Sequence, residues 1–184
     1  MVTPVIETER FTLRELTRAD ARALFTTLSD DEQCRHLSRG AFLHEKELGD
    51  WLTDPTWAGR SWAAIDKADG ELAGRFVAVP TNESGMSELG YITVVDRQGQ
   101  GVARECMEAL ISHLFERENH RRVFVEIDDD NVASIALIER LGFKREGCLR
   151  EHETTHRGLC NLLIYGLLRR EWDVTQSLPA PKAD

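Results

Sequence analysis

Six residues join a predicted strand to a predicted helix, and they read Gln98-Gly99-Gln100-Gly101-Val102-Ala103. The strand pattern before them spans residues 89–95 and is rich in β-branched side chains. The helix pattern after them spans residues 102–118, where apolar side chains recur at helical spacing. A glycine loop that enters a helix presents free backbone N–H groups and the positive end of the helix dipole, so this stretch predicts a phosphate-binding site. It matches neither the P-loop nor the three-glycine dinucleotide pattern, and turn formation alone is the alternative.

The composition predicts one soluble globular domain. The chain has 184 residues, of which 41% are hydrophobic and 30% charged, and this length is enough to bury a substantial core. No apolar run reaches the roughly 20 residues that span a bilayer, and the first residues lack the pattern of a secretion signal. The four cysteines are widely spaced, which is typical of reduced thiols rather than of zinc ligands. We therefore expect a cytoplasmic protein that does not insert into a membrane.

The acidic balance of the chain bears on its partners. The formal net charge is −9. Nucleic acid is bound by a basic face, so direct binding to it is not expected. An acidic cleft attracts a cationic substrate such as an amine, although negative charge that serves only to keep the protein in solution is the alternative.

Hydrophobic patterns along the rest of the chain predict a mixed α/β domain. Strands are predicted over residues 11–16, 61–66, 72–79, 88–95, 123–127, 144–151 and 162–168. Helices are predicted over residues 17–28, 44–52, 102–118 and 132–140. Residues 1–174 are therefore expected to form a single domain. Residues 175–184, which contain two prolines, are expected to be a disordered tail.

Four segments carry a resemblance to the GCN5-related N-acetyltransferases, the GNAT superfamily. The Gln-x-x-Gly-x-Ala pattern at 98–103 resembles the acetyl-CoA loop of that family. Asn-x-x-Ser at 131–134, followed by a helix and Gly-Phe at 142–143, is similar to its second motif. Residues 88–91 precede the loop as in the central strand of the family. Residues 145–153 resemble the segment after Gly-Phe in the RimJ/RimL branch, the ribosomal-protein N-terminal acetyltransferases.

The resemblance covers residues 6–172 and implies both a fold and an activity. The implied fold is a central mixed sheet, mostly antiparallel, that splays at the acetyl-CoA site and is flanked by helices. The implied activity is direct transfer of an acetyl group from acetyl-CoA to a primary amine, without a metal. Relatives are often dimers, so a homodimer is a possible assembly.

The resemblance also implies which residues bind acetyl-CoA. Backbone groups of residues 92–95 would hold the pantetheine arm, and a backbone N–H near Ile92 would stabilise the developing oxyanion. Loop amides and Arg104 would hold the diphosphate, unless Arg104 is only a solvated charge on the helix. The full set is Ile92, Val94, Val95, Gln98, Gly99, Gln100, Gly101, Val102, Ala103, Arg104, Asn131 and Ser134.

The groups that move protons are less well defined. Many relatives have a tyrosine acid on the second-motif helix, but this chain has Ile138 at that position. Ser134 matches the serine of RimL-type enzymes, and Glu153 matches a glutamate proposed there as the general base. Glu88 is the rival base, and water without a dedicated base is the third alternative. A pocket role for His152 or His156 is a further alternative, and their position on a strand and turn argues against a zinc site.

The substrate is the least determined feature. The RimJ/RimL resemblance favours a protein N-terminus, while an aminoglycoside, whose acetylation confers antibiotic resistance, or a polyamine would suit the same scaffold. Residues 29–59, with Trp51 and Trp57, are expected to shape specificity, although each tryptophan could equally be a core residue. A protein that senses acyl-CoA without catalysing transfer is the alternative from another class.

Overall fold

Eight strands form one open sheet in the computed structural model, which describes the backbone of residues 2–177 and side chains as far as Asp173. The strands are β1 (Ile6–Glu7), β2 (Phe11–Glu15), β3 (Arg60–Asp66), β4 (Leu72–Pro80), β5 (Met86–Thr93), β6 (Arg122–Asp128), β7 (Lys144–Thr155) and β8 (Gly158–Leu168). The helices are α1 (Ala21–Leu28), α2 (Glu45–Leu52), α3 (Val102–Ser112), α4 (Val132–Arg140) and α5 (Arg169–Ser177).

The order of strands in the sheet is β1-β2-β3-β4-β5-β6-β8-β7. Strands β5 and β6 are parallel, and the other neighbouring pairs are antiparallel. The connection from β5 to β6 runs through the glycine loop and α3, as a parallel crossover requires. The predicted mixed, mostly antiparallel α/β domain is confirmed.

The sheet splits between β5 and β6. The two strands pair only at Met86–Arg122, Ser87–Val123 and Glu88–Phe124. Beyond these pairs β5 continues to Thr93 and β6 to Asp128, without pairing to each other. One edge of β5 is therefore free in the middle of the sheet, as the family resemblance implied.

Two hydrophobic clusters cover the two faces of the sheet. Helix α3 buries Cys106, Met107 and Leu110 against one face. Helices α1 and α2 bury residues such as Leu24 and Leu48 against the other. Helices on both faces hold the central strands in place on either side of the split.

Several boundaries differ from the sequence predictions. Strand β5 ends at Thr93 rather than at residue 95, because the chain enters a short 3-10 turn at Val95–Arg97 and the N–H of Val95 donates to Oγ1 of Thr27 instead of to β4. The α-helical part of the predicted helix over 102–118 ends at Ser112, and a wider π-helical turn follows at His113–Arg117. The β7–β8 hairpin is longer than predicted, since its irregular, exposed register hides the alternation that marks a strand.

The C-terminal helix extends into the predicted tail. Helix α5 runs to Ser177, three residues past residue 174, and residues 178–184 lie outside the described residues. In the described part of the chain, no helix combines the length and the apolar character needed to cross a membrane.

A shielded ion pair attaches the end of the α3 segment to β3. Both Nη atoms of Arg60 donate to the carboxylate of Glu118, at 2.6 and 2.7 Å. Burial by itself would raise the pKa of Glu118, but the hydrogen bonds and charge of Arg60 outweigh it and lower that pKa below its ordinary 4.5. Ionised Glu118 therefore stabilises the fold above about pH 4.5, and this contribution is lost as the pH falls through the lowered pKa.

We expect Glu118→Gln to lower the free energy of unfolding by about 3 kcal/mol at pH 7, since it leaves Arg60 shielded without a counter-charge. Urea titration at pH 7 and at low pH measures the effect, and the gap from wild type should narrow in acid. Glu116→Gln is the matched control, because Glu116 is exposed on the same turn. Equal stability of the two variants at pH 7 would contradict the assignment.

Candidate active site

A cleft of about 690 Å³ opens where β5 and β6 separate. Strand β5 lines it with residues 88–92, and β6 lines it with residues 125–128. Helix α4 and the residue before it close one side with Asn131, Ser134 and Ile138. Trp51 and Trp57, expected to shape specificity, lie on the opposite side.

The ladder between β4 and β5 determines which groups face the gap. Antiparallel residues bond their partner strand alternately, and Val94 bonds to Ala73. With the observed register, even-numbered residues of β5 such as Ile92 direct their N–H groups to β4. The odd-numbered residues Tyr91 and Thr93 direct theirs to the gap. The N–H near Ile92 that could meet an oxyanion is thus that of Tyr91 or Thr93, and Ile92 contributes its side chain.

Val94 and Val95 do not extend this free edge. The N–H of Val94 is bonded to Ala73 O, and that of Val95 donates to Oγ1 of Thr27 (2.9 Å). Their carbonyl groups accept hydrogen bonds from Arg97 and Gln98. The N–H groups of both valines are therefore already used within the protein, and their predicted backbone contact with a pantetheine arm stays a prediction for the carbonyl oxygens alone.

The glycine loop presents a row of free amides. Within the described part of the chain, the backbone N–H groups of residues 99–104 have no acceptor. Gly99 and Gly101 adopt φ values of +72° and +78°, which favour glycine and turn the loop into the start of α3. Consecutive free N–H groups at a helix N-terminus fit a diphosphate.

Side chains of the loop mainly hold its own shape. Gln98 Nε2 donates to Gln33 Oε1 (2.7 Å), and Gln100 Nε2 donates to Asp96 O (2.8 Å). Val102 is buried in the core. The loop therefore offers its backbone rather than these side chains to a ligand.

Two arginines lie beside the loop. Arg104 is exposed and pairs with Glu108 (2.9 Å), so its predicted contact with a diphosphate stays a prediction. Arg10, which the sequence did not single out, donates through Nη1 to Gln100 O (3.0 Å) and through Nε to Glu105 (2.6 Å). No local pattern could have indicated Arg10, because its partners are 90 and 95 residues away in the sequence.

Ser134 is held at the cleft by two neighbours. The side chain of Asn131 caps α4 by accepting a hydrogen bond from the backbone N–H of Ser134 (3.2 Å). The phenol of Tyr91 donates to Ser134 Oγ (2.9 Å). Burial raises the pKa of Tyr91, so the phenol stays protonated at neutral pH. Tyr91 thus supplies a hydroxyl on the side of the cleft where Ile138 carries none.

Three glutamates give the cleft a negative wall. Glu88, Glu126 and Glu153 all line it, from β5, β6 and β7. Burial raises the pKa of Glu88, and the charges of Glu126 and Glu153 raise it further. Both carboxylates considered as bases from the sequence therefore face one cleft, and Glu88 has the environment of a stronger base.

A second acidic group lies at the rim and is neutralised by arginines. His36, Asp128 and Asp130 come close enough to hold a metal ion. Arg157 already binds both aspartates, at 2.7 and 2.9 Å, and its hydrogen bond is the main cause that lowers the pKa of Asp130 to about 2. The cluster is an ion-pair network that a metal would have to displace.

Of the two histidines considered from the sequence, His152 lines the cleft and His156 is not among its lining residues.

Comparison with known proteins agrees with this arrangement. Residues 10–144 match the family model for the acetyltransferase (GNAT) domain. The chain belongs to the GNAT family. It is 29% identical over 171 residues to an uncharacterized N-acetyltransferase, p20, of Bacillus licheniformis, covering 90% of this chain and 96% of the relative.

Two further comparisons extend the match. The chain is 35% identical over 86 residues to the ribosomal-protein-serine acetyltransferase of Escherichia coli, covering 47% of each. The crystal structure of a GNAT-family acetyltransferase from Bacillus anthracis superimposes with a TM-score of 0.84 at 19% identity, over 91% of this chain and all of that one. The protein is thus an acyltransferase, and its fold implies acetyl-CoA as the acetyl donor.

Proposed function

We propose that this GNAT protein acetylates the primary amine of a protein N-terminus, as RimJ/RimL-type enzymes do. The free edge of β5 and the Glu88 carboxylate open into the same cleft, and this observation carries the proposal. The edge is suited to hold a thioester, and the carboxylate is suited to take a proton from an attacking amine.

The donor would lie along the gap with its diphosphate on the amides of residues 99–104. Its thioester carbonyl would then lie beside the N–H of Tyr91, which can donate to the oxygen as negative charge develops on it. Holding the two reactants in one orientation supplies much of the rate acceleration.

Glu88 would act as the general base. The acceptor arrives as an ammonium ion and must lose a proton before its nitrogen attacks. Glu88 lies on the face of β5 that also carries Gly90 and Ile92, and its raised pKa makes it a stronger base than an ordinary carboxylate. Glu153 is the second candidate, because it lines the same cleft.

Ser134 would donate a proton to the departing thiolate. Its hydroxyl faces the cleft and receives a hydrogen bond from Tyr91 (2.9 Å). The phenol can therefore restore the serine proton, and Tyr91 is a positioning residue behind Ser134.

We expect Tyr91→Phe and Ser134→Ala each to lower kcat by about 10-fold, with little change in KM for acetyl-CoA, because both interrupt the same proton path. The double variant should be no slower than the worse single variant. Steady-state kinetics on the three variants check this. Fully additive losses would show that the two hydroxyls act independently.

A relative and the charges of the cleft bear on the nature of the acceptor. The match to the Escherichia coli ribosomal-protein-serine acetyltransferase supports a protein N-terminus, although it covers 47% of the chain. Three carboxylates in a cleft with Trp51 and Trp57 also suit a cationic small molecule, an aminoglycoside or a polyamine. A sensor that binds acyl-CoA without catalysing transfer is disfavoured, because it would not need the proton-transfer groups of Glu88, Glu153 and Ser134.

Release of free thiol from acetyl-CoA across a panel of amines tests the proposal. The panel contains N-terminal peptides of ribosomal proteins, spermidine and several aminoglycosides. Turnover confined to peptides is the expected result. Turnover confined to an aminoglycoside would replace the proposed substrate class, and CoA binding without turnover on any amine would favour the sensor.

A further inference from the structure

Arg75 is a shielded cation in the wall of the acceptor cleft. It is 6% exposed and belongs to β4. Its guanidinium carbon lies 4.6 Å from the ring centroid of Trp51 and 5.3 Å from that of Trp57. Two aromatic rings thus hold the guanidinium in one orientation, with its edge lining the cleft.

This cation has no counter-charge. Nε and Nη2 of Arg75 donate to the Ser61 hydroxyl, at 3.2 and 3.0 Å. Among the described residues, Nη1 has no hydrogen-bond partner and no carboxylate forms an ion pair with Arg75. Asp54 also lines the cleft, but its Oδ1 accepts hydrogen bonds from Thr56.

Burying a guanidinium without a counter-charge lowers the stability of the ligand-free protein. Burial lowers the pKa of Arg75 to about 10, so it remains charged at neutral pH. A group that is charged, held in place and partnered by one hydroxyl is ready to accept an anion, because binding the anion recovers the interactions lost on burial. The glutamates that line the cleft are acidic, so the guanidinium of Arg75 forms a local positive site in its wall.

Arg75 and Glu88 lie at two ends of one surface. The register pairs Arg75 with Ile92 and Val79 with Glu88, so both charged side chains belong to the same face of the sheet. Glu88 and Ile92 are four residues apart on β5, which places Glu88 and Arg75 at a Cα separation of at least about 13 Å along the strands. Val77 and Gly90 lie between them and line the cleft.

We propose that Arg75 binds a carboxylate of the acceptor while the acceptor's amine lies at Glu88. The inference rests on the proposed N-acetylation and adds a substrate requirement: the acceptor bears an anionic group at a distance from its amine. An N-terminus followed by an acidic side chain has this chemistry, and so does a linear amino acid with its amine and carboxylate at opposite ends. Polyamines, which have no anionic group, do not.

Matched acceptor pairs test the proposal. One pair is the C-terminally amidated peptides Ser-Glu-Ala-Ala and Ser-Gln-Ala-Ala. The other is 6-aminohexanoate and its carboxamide. We expect wild type to prefer the carboxylate member of at least one pair by about 10- to 100-fold in kcat/KM, the range for one charged hydrogen-bonded contact. The pair that shows the preference distinguishes a peptide from a small-molecule acceptor.

Variants then assign the preference to one residue. Arg75→Gln should reduce the ratio to about one, and Arg75→Lys, which keeps the charge without the planar fork, should give an intermediate ratio. Arg117→Gln, on an exposed residue away from the cleft, should leave the ratio as in wild type. CoA affinity measured on each variant checks that it is folded.

The role of Arg75 and the proposed N-acetylation are overturned by different results. Acetylation of both members of each pair at equal rates by wild type would overturn the role of Arg75 and leave N-acetylation standing, and this result needs no variant. A preference that persists in Arg75→Gln would also overturn it. Acetylation of no amine would overturn the proposed function together with this inference.

Discussion

Glu88→Gln is expected to lower kcat by about 100-fold or more, because it removes the group that takes the proton from the attacking amine. Glutamine keeps the size and polarity of the side chain, so the cleft should keep its shape. The wild-type rate should rise with pH through the raised pKa of Glu88, and this limb of the profile should disappear in the variant. Steady-state kinetics from acidic to alkaline pH measure both effects.

Two neighbouring carboxylates provide the controls for this prediction. Glu126→Gln removes another cleft carboxylate, whose charge raises the pKa of Glu88, so it should move the pH profile towards acid but change the maximal kcat little, because Glu126 is the exposed member of the three. Glu153→Gln decides between the two candidate bases. A large loss in Glu153→Gln with near-normal Glu88→Gln would move the role of base to Glu153. Near-normal rates in both variants would leave water as the proton acceptor.

The same substitution should not weaken the fold. Because the pKa of Glu88 is raised in the folded protein, stability falls as the pH rises from its unfolded pKa through its folded pKa. Ionised Glu88 therefore costs stability at neutral pH, and glutamine removes that cost. We expect the Tm of Glu88→Gln at pH 7 to equal or exceed that of wild type, which separates loss of chemistry from loss of structure.

Gly99→Glu is expected to weaken CoA binding by about 30-fold or more, because a carboxylate would project among the free amides that fit the diphosphate. A Cβ at Gly99 would meet no atom within 4 Å, so the effect would not come from a clash within the protein. Gly101 is the less informative position, since a Cβ there would lie 3.3 Å from Arg10 Nη2. Calorimetric titration with CoA gives the Kd.

Gly70→Glu is the matched control for backbone strain. Gly70 has φ +77°, compared with +72° at Gly99, and it too has open space at its Cβ position. It lies in the β3–β4 hairpin, outside the glycine loop and its free amides, and the adjacent Asp69 pairs with Arg97, the residue before that loop. The two variants should lose similar stability, and only Gly99→Glu should lose CoA affinity. Equal Kd values for both would show that the loop amides do not hold the diphosphate.

Local patterns in the sequence were enough to predict the framework of this domain. The glycine loop, the helix after it and the Asn131 cap are encoded by neighbouring residues, so their identities could be inferred directly. The strands in which apolar and polar residues alternate could be predicted from neighbouring residues in the same way. The short strand β1 and the long β7–β8 hairpin were harder, because two residues, or an exposed irregular register, give little periodic signal.

The parts of the site that the sequence missed are contacts between distant segments. Tyr91 meets Ser134, and Arg75 meets two tryptophans, only after strands and helices have packed. The use of the Val94 and Val95 N–H groups could not be foreseen for a related reason: Ala73 and Thr27, far away in the chain, accept their hydrogen bonds. The type of a residue indicates the chemistry it can perform, whereas the groups it contacts depend on how the chain folds.

The most direct measurement is a crystal structure with CoA and an amidated Ser-Glu-Ala-Ala peptide. We expect the CoA sulfur in the gap between β5 and β6 beside the Tyr91 N–H, the diphosphate on residues 99–104 and the peptide amine at Glu88. A pantetheine arm that lies outside the gap, or an amine remote from the Glu88 face, would contradict this expectation.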